Sequence, residues 1–206
     1  GPMAPRRVLS LMKQACGSLE EAHERGIIHR DLKPGNIFAE KVGRREVAKV
    51  LDFGIAKVVT EQSHTMTGQM FGTPLYMSPE QVQGKSVDPR SDIYSLGVLM
   101  FECFAGRTPF EGGSPYSVLM KHVSEQPPPL REVNPKLANP LLDEFIRNMM
   151  AKDPAARPAD AGTVIDMIEE LDSALNRAGE PNQSSVDFNP GMDVLADTMA
   201  GVPSEE

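Results

Sequence analysis

Two short groups of residues carry most of the chemical potential of this 206-residue chain. The first is His29-Arg30-Asp31-Leu32-Lys33-Pro34-Gly35-Asn36, and the second, sixteen residues after Asn36, is Asp52-Phe53-Gly54. Together they set a base, a cation and two metal ligands in a fixed order. The Asp31 carboxylate can accept a hydrogen bond from a neutral hydroxyl without electrostatic clash, and can then take its proton. Lys33, two residues on, is a cation beside it. Asn36 offers a neutral amide oxygen and Asp52 a charged one, and hard oxygen ligands from two loops suit Mg²⁺. Either group alone is weak evidence, because Asp and Asn are common in loops. Both together, in this order and joined by a plausible strand pair, are hard to produce by chance.

The elements that must position these groups are legible on either side. Val8, Met12, Ala15, Cys16, Leu19 and Ala22 recur at threes and fours, which predicts an amphipathic helix to about Arg25. Gly26 fits the left-handed position that closes it. Ile37-Phe38-Ala39 predicts a short strand, Lys41 to Glu46 a charged turn around Gly43, and Val47 to Leu51 a returning strand. The segment from Asp52 to Glu80 has little periodicity and is rich in Thr, Gly and Met; such a long loop is either functional or disordered. Ser91 to Ala105 is apolar on nearly every side, the signature of a buried central helix, ended by Gly106. Further helices are predicted for Pro115 to Val123, for the stretch holding Leu141, Phe145, Ile146 and Met149, and for Val164 to Leu175. Pro127-Pro128-Pro129 reads as a rigid spacer, with a polyproline ligand as the alternative. No internal repeat is present.

The order H-R-D-x-x-x-x-N followed by D-F-G resembles the eukaryotic-type (Hanks-type) Ser/Thr protein kinases, and the resemblance runs from about Met3 to Leu175. The stretch from Lys121 through Pro129 to Arg157 has the spacing and proline richness of bacterial members. The resemblance implies a mainly α fold with a small β-hairpin region, the C-terminal lobe of a kinase. It implies ATP and Mg²⁺ as cofactors and proteins with Ser or Thr as substrates. Asp31 would accept the substrate hydroxyl, Lys33 would reach the γ-phosphate and mark Ser/Thr specificity, and Asn36 and Asp52 would hold the metal. Phe38, bulkier than the usual leucine or methionine, would lie under the adenine with Leu99 and Cys103 beneath it. Gly72 to Glu80 matches the family's substrate-docking loop and its A-P-E end, with Ser78 in place of alanine. Thr73 would bond Asp31 and Lys33, and Glu80 would pair with Arg157, at a loss of about 3–5 kcal/mol if a buried partner were removed. Asp92 is expected to cap the buried helix and hold the catalytic-loop backbone. His29, Phe53 and Asp92 resemble the lower part of the hydrophobic column of an active kinase.

The same resemblance implies a regulatory layer. Arg30 beside Asp31 marks kinases whose activation segment, here residues 52–80, is ordered by phosphorylation, with Lys57 as a second cation for the phosphate. Ser63, Thr65 and Thr67 lie in that segment. Thr65 and Thr67, eight and six positions before Thr73, align with threonines that bacterial relatives autophosphorylate; plain solvated hydroxyls are the alternative. His23, His64 and His122 carry no motif and read as surface or helix-face residues.

Ahead of His29 stand only 28 residues, with no glycine-rich loop and no V-A-I-K lysine. The chain is therefore expected to be a C-terminal lobe cut from a longer parent, the N-terminal lobe being its missing partner. Gly1-Pro2 reads as a cloning scar, residues 3–177 as the lobe, and 178–206 as an acidic linker or tail. Within the tail, Met192, Leu195 and Met199 share a helical face, either a fluctuating linker or a docking segment. The lobe alone is expected to turn over negligibly and to self-associate as a homo-oligomer through uncovered apolar surface. A pseudokinase scaffold or binding module is the alternative. A small-molecule phosphotransferase would not be expected to show D-F-G, S-P-E and the Glu80–Arg157 partner together.

Composition narrows the classes further. A net charge of −8 and a pI near 5.1 disfavour a nucleic-acid partner. No apolar run reaches the length of a membrane span and no signal peptide is evident, which leads to the expectation of a cytoplasmic lobe whose parent can carry an anchor elsewhere. Cys16 and Cys103 sit in apolar helical patterns and read as small buried hydrophobes.

Overall fold

The structure is a computed structural model that describes residues 1–53 and 74–177. Gly54, Lys57, Ser63, His64, Thr65, Thr67, Thr73 and the 178–206 tail lie outside the described residues. Helix α1 (Pro5–Glu24) is followed by the strands β1 (Ile37–Val42) and β2 (Arg45–Val50), and then by α2 (Pro79–Val82), α3 (Pro89–Ala105) and α4 (Pro115–Ser124). Helices α5 (Leu130–Val133), α6 (Pro140–Met149) and α7 (Ala161–Arg177) complete the described chain. The fold is mainly α with one two-stranded antiparallel hairpin, as the sequence implies.

Helix α3 is the axis. Ile93, Tyr94, Leu96, Val98, Leu99, Met100, Phe101 and Phe104 are each fully buried, so no face of it meets water. Pro89 opens it in the first turn, where a missing N–H is harmless. The cap is Asp88, whose carboxylate accepts the Arg90 N–H; Asp92, expected to cap, lies inside the first turn, and its carboxylate is turned elsewhere. Gly106, at φ 78°, ends the helix in the left-handed conformation. Pro2, set aside as a scar, lies against Gly106, and the Met3 N–H donates to the Cys103 carbonyl. Helix α6 approaches α3 at Gly97, where an added Cβ would stand 2.9 Å from Met149 Cβ. The approach requires the absent side chain.

Helix α1 packs on α3, α7 and β2. The hairpin is longer than the predicted strands: pairing continues to Val42↔Arg45, so the charged stretch is mostly strand. Only Gly43-Arg44 turns, with Gly43 at φ 63°, the sign a primed hairpin turn needs at that place. Two side chains of α1 fasten the hairpin. Gln14 donates to the Glu46 carbonyl and accepts the Ala48 N–H. The Arg7 guanidinium grips Glu46 at 2.8–3.0 Å. These contacts hold β2 on α1, and the open end of the hairpin is flanked by Asn36 and Asp52.

Cys16 and Cys103 are buried and free, with both thiols pushed up to about 12, by burial above all. No helix among the described residues is long and apolar enough to cross a membrane.

Candidate functional site

The 29–36 loop is built on Asp92. One carboxylate oxygen accepts the His29 N–H at 2.8 Å and the other the Arg30 N–H at 2.9 Å. His23 Nε2 sits 2.8 Å from the first. Arg30 has φ 64°, a left-handed conformation that disfavours a non-glycine residue by about 1–2 kcal/mol. Two bonds offset this: its N–H is taken by Asp92, and its carbonyl by the Gln81 side-chain amide at 2.9 Å. Gln81 itself belongs to a capping box with Ser78 that starts α2. The chain is thus turned at Arg30 so that Asp31 faces away from the core.

His29 is fully buried, and its bonds fix its tautomer. The Asp31 N–H donates to Nδ1 at 3.2 Å, so the proton lies on Nε2, which donates to the Leu51 carbonyl at 2.8 Å. The Leu51 N–H in turn donates to the Asn36 carbonyl at 2.8 Å. The residue before Asp52 is therefore held on both sides by the loop that carries Asp31 and Asn36. On the other flank, Phe53 lies 5.2 Å from the His29 ring. Asp52 is exposed and, like Arg30, left-handed, with φ 52°.

Within the loop, Lys33 Nζ lies 3.1 Å from the Asp31 carboxylate, a half-exposed pair. The Asn36 side-chain N–H₂ donates to the Asp31 carbonyl at 2.8 Å. That bond orients the amide and leaves its oxygen as the end a cation would take. The amide oxygen of Asn36 and the Asp52 carboxylate are hard oxygen donors of the kind Mg²⁺ takes. Phe38 is half-buried on β1, opposite Lys49, while Leu99 and Cys103 are buried in α3.

Behind this loop, Arg157 satisfies all five of its donors. Nη1 and Nη2 meet the two oxygens of Glu80 at 2.7 and 2.8 Å, and the others meet the carbonyls of Arg90, Lys152 and Ala151. Burial acts to raise the Glu80 pKa, but bonds from Arg157 and Ser91 and the Arg157 charge outweigh it, and the carboxylate is held below its usual range. The guanidinium also lies over the Tyr94 ring, 4.9 Å from its centre.

Several participants carried no motif. Gln81 was discoverable from the S-x-x-Q spacing at 78–81, which marks a capping box. His23, expected as a surface or helix-face residue, lies on a face of α1 that meets Asp92, with 7% of its side chain exposed. His122, also read as superficial, is fully buried against Tyr94 and Phe110. Both histidines are aimed inward by packing that their own sequence neighbourhoods do not reveal. Tyr76 donates to Glu102 at 2.6 Å, and its carbonyl accepts from Ser95 at 2.7 Å. Burial raises the Glu102 pKa, against the bond from Tyr76.

A fold built on a buried central helix, with a loop of this composition stitched to a hairpin end, defines a class that comparisons identify. Residues 1–169 match the protein kinase domain family, and the chain belongs to that family. It is 43% identical over 180 residues to the serine/threonine-protein kinase pkn2 of Myxococcus xanthus, covering 85% of this chain and 22% of that protein. It is 44% identical over 163 residues to PknB of Mycolicibacterium smegmatis, covering 76% of this chain and 25% of that protein. The chain thus spans about a quarter of the length of these relatives. Among solved structures, a mutant PknI kinase domain of Mycobacterium tuberculosis superposes with a TM-score of 0.62 at 27% identity, over 84% of this chain and 57% of that one. The named relatives are bacterial Ser/Thr kinases, in keeping with the eukaryotic-type resemblance.

Proposed function

We propose that this chain carries the hydroxyl-facing and metal-facing lobe of a kinase that transfers the γ-phosphate of ATP to Ser and Thr hydroxyls of proteins. The observation that supports this most is the double grip on Leu51. Its N–H bonds Asn36 and its carbonyl accepts from His29, so Asp31, Lys33, Asn36 and Asp52 project from backbone held as one unit. Phosphoryl transfer asks chiefly for such positioning.

In this reading Asp31 accepts the hydrogen bond of the incoming hydroxyl and later its proton. Lys33, already beside Asp31, shields that carboxylate from the approaching phosphate. Asn36 and Asp52 would hold Mg²⁺, whose charge would neutralise that of the ATP phosphates. Phe38 underlies the adenine. Thr73 ties the docking segment to Asp31 and Lys33. Arg30 and Lys57 receive a phosphate placed on Thr65 or Thr67, which orders the 52–80 segment. The phosphate-covering loop and lysine of the family have no counterpart ahead of His29, so the 206 residues taken alone transfer negligibly and self-associate.

The test joins a family N-terminal lobe ahead of Met3 and follows intact mass with Mg-ATP, beside an Asp31→Asn variant. Stepwise phosphate gain, absent in the variant and mapped to Thr65 or Thr67, is the expected result. Equal gain in both proteins overturns the role of Asp31. No gain in either overturns the enzyme reading in favour of a scaffold.

A further inference from the structure

Helix α1 joins the end of α7 to the closed end of the hairpin. The Arg6 guanidinium donates to the Asn176 side chain, in the last turn of α7. Its neighbour Arg7 holds Glu46 of β2 at 2.8 Å. Arg177, from which residues 178–206 leave the lobe, is thus linked through the first turn of α1 to the hairpin end that carries the Gly43-Arg44 turn.

Glu46 and Ala48 face α1, so alternation turns Arg45, Val47 and Lys49 to the outer face, with Val42, Glu40 and Phe38 opposite them. Val42 is 57% exposed there, and Arg44, Arg45 and Lys49 are exposed around it. Among the described residues no ion pair reaches these three cations, and Glu46 is already taken by Arg7. An exposed valine alone signifies little. One set among unpaired cations, beside the exit of an acidic segment, has a specific complement.

That complement stands in the sequence. Residues 178–206 hold Glu180, Asp187, Asp193, Asp197, Glu205 and Glu206, and neither Lys nor Arg. Met192, Leu195 and Met199 recur at three and four, with Asp193 and Asp197 beside them, an apolar stripe flanked by carboxylates. The 14 residues from 178 to 191 are a tether. As a flexible chain it spans about 20 Å, and it holds the stripe near the lobe at an effective concentration on the order of millimolar. A contact too weak to form between separate molecules is populated under that constraint.

We infer that residues 192–199 of this same chain dock on the closed end of the hairpin, the Met192, Leu195 and Met199 stripe covering Val42 while Asp193 and Asp197 meet Arg44 and Arg45. The docking surface is independent of the kinase reading and stands whether or not the chain transfers phosphate.

The test is carbodiimide cross-linking of the full 206-residue chain, in an equal mixture of ¹⁴N and ¹⁵N protein. The reagent couples carboxylates to the lysine amines they already touch. The expected products join Asp193 or Asp197 to Lys41 or Lys49 within one chain. In Arg44→Glu/Arg45→Glu their yield falls about fivefold or more, the scale of a few exposed ion pairs reversed. Met192→Ser/Leu195→Ser/Met199→Ser, which leaves residues 1–177 unaltered, is expected to lose the same products. Absence of these products in the unsubstituted chain, coupling chiefly to other lysines, or an unchanged yield in either variant overturns the proposal. Products of mixed isotope mass overturn it in favour of a segment supplied by a second copy.

Discussion

Arg157 and Glu80, 77 positions apart in sequence, form a two-pronged buried pair in which the guanidinium spends two donors on the carboxylate and three on backbone carbonyls. The pair fastens the start of α2 to the segments around α3 and α7. Replacing Arg157 with Met strands a buried carboxylate and opens three carbonyls. Urea unfolding is expected to show a loss of about 3–5 kcal/mol. Glu80→Gln keeps a hydrogen-bonding end and is expected to lose less.

Asp92 is the acceptor on which the 29–36 loop turns. In Asp92→Asn, one of the two oxygens becomes an N–H₂ facing a backbone N–H. Each stranded N–H costs about 1–3 kcal/mol, and the left-handed Arg30 loses its restraint. Denaturant unfolding reads the stability loss, and hydrogen exchange over residues 29–31 is expected to quicken with it.

His122 makes the protein acid-sensitive. Burial, then the charge of Lys152, holds its ring down at about 4 against an ordinary 6.5. A base with a depressed folded pKa contributes stability that is full above 6.5 and is lost as pH falls through 4. The loss approaches about 3 kcal/mol at its limit. Glu80, also held low, adds a further loss at more acid pH. His122→Phe leaves the Glu80 component in place, so the difference between the two pH profiles isolates the histidine. The variant's unfolding free energy is expected to be flatter between pH 6.5 and 4.

Gly97 allows α6 to close on α3. Gly97→Ala puts a Cβ 2.9 Å from Met149 Cβ and 3.0 Å from Met150 Cγ, neither of which is a free chain end. Overpacking of this kind costs about 1–3 kcal/mol, read as a fall in the thermal midpoint.

Cys16 and Cys103, both buried with thiols near 12, are expected to resist a thiol-directed reagent at pH 8 until the chain unfolds. Labelling in the native state at the rate of free cysteine would contradict their burial.

The candidate chemical groups are legible because each sits in a short contiguous run. His29 to Asn36 and Asp52-Phe53 are local patterns, and α1, α3 and α7 follow from apolar period. The partner of Glu80 was legible only through family resemblance. Asp92 holds the 29–36 loop, whereas the cap expected of it falls to Asp88, which precedes Pro89. The charge of 41–46 predicts a turn, yet strand pairing runs on to Val42↔Arg45, with Arg7 and Gln14 of α1 bonding Glu46.

By itself the sequence determined the order of the chemical groups, the central buried helix and the glycines that end elements, since these depend on neighbours within a few residues. Tertiary structure alone decided that His23 and His122 are interior, that Arg157 satisfies five partners, and that Leu51 is held from both sides. The physical reason is that a buried polar atom must find a complement wherever the folded chain brings one. Those complements stand dozens of residues away, at distances that no local pattern encodes.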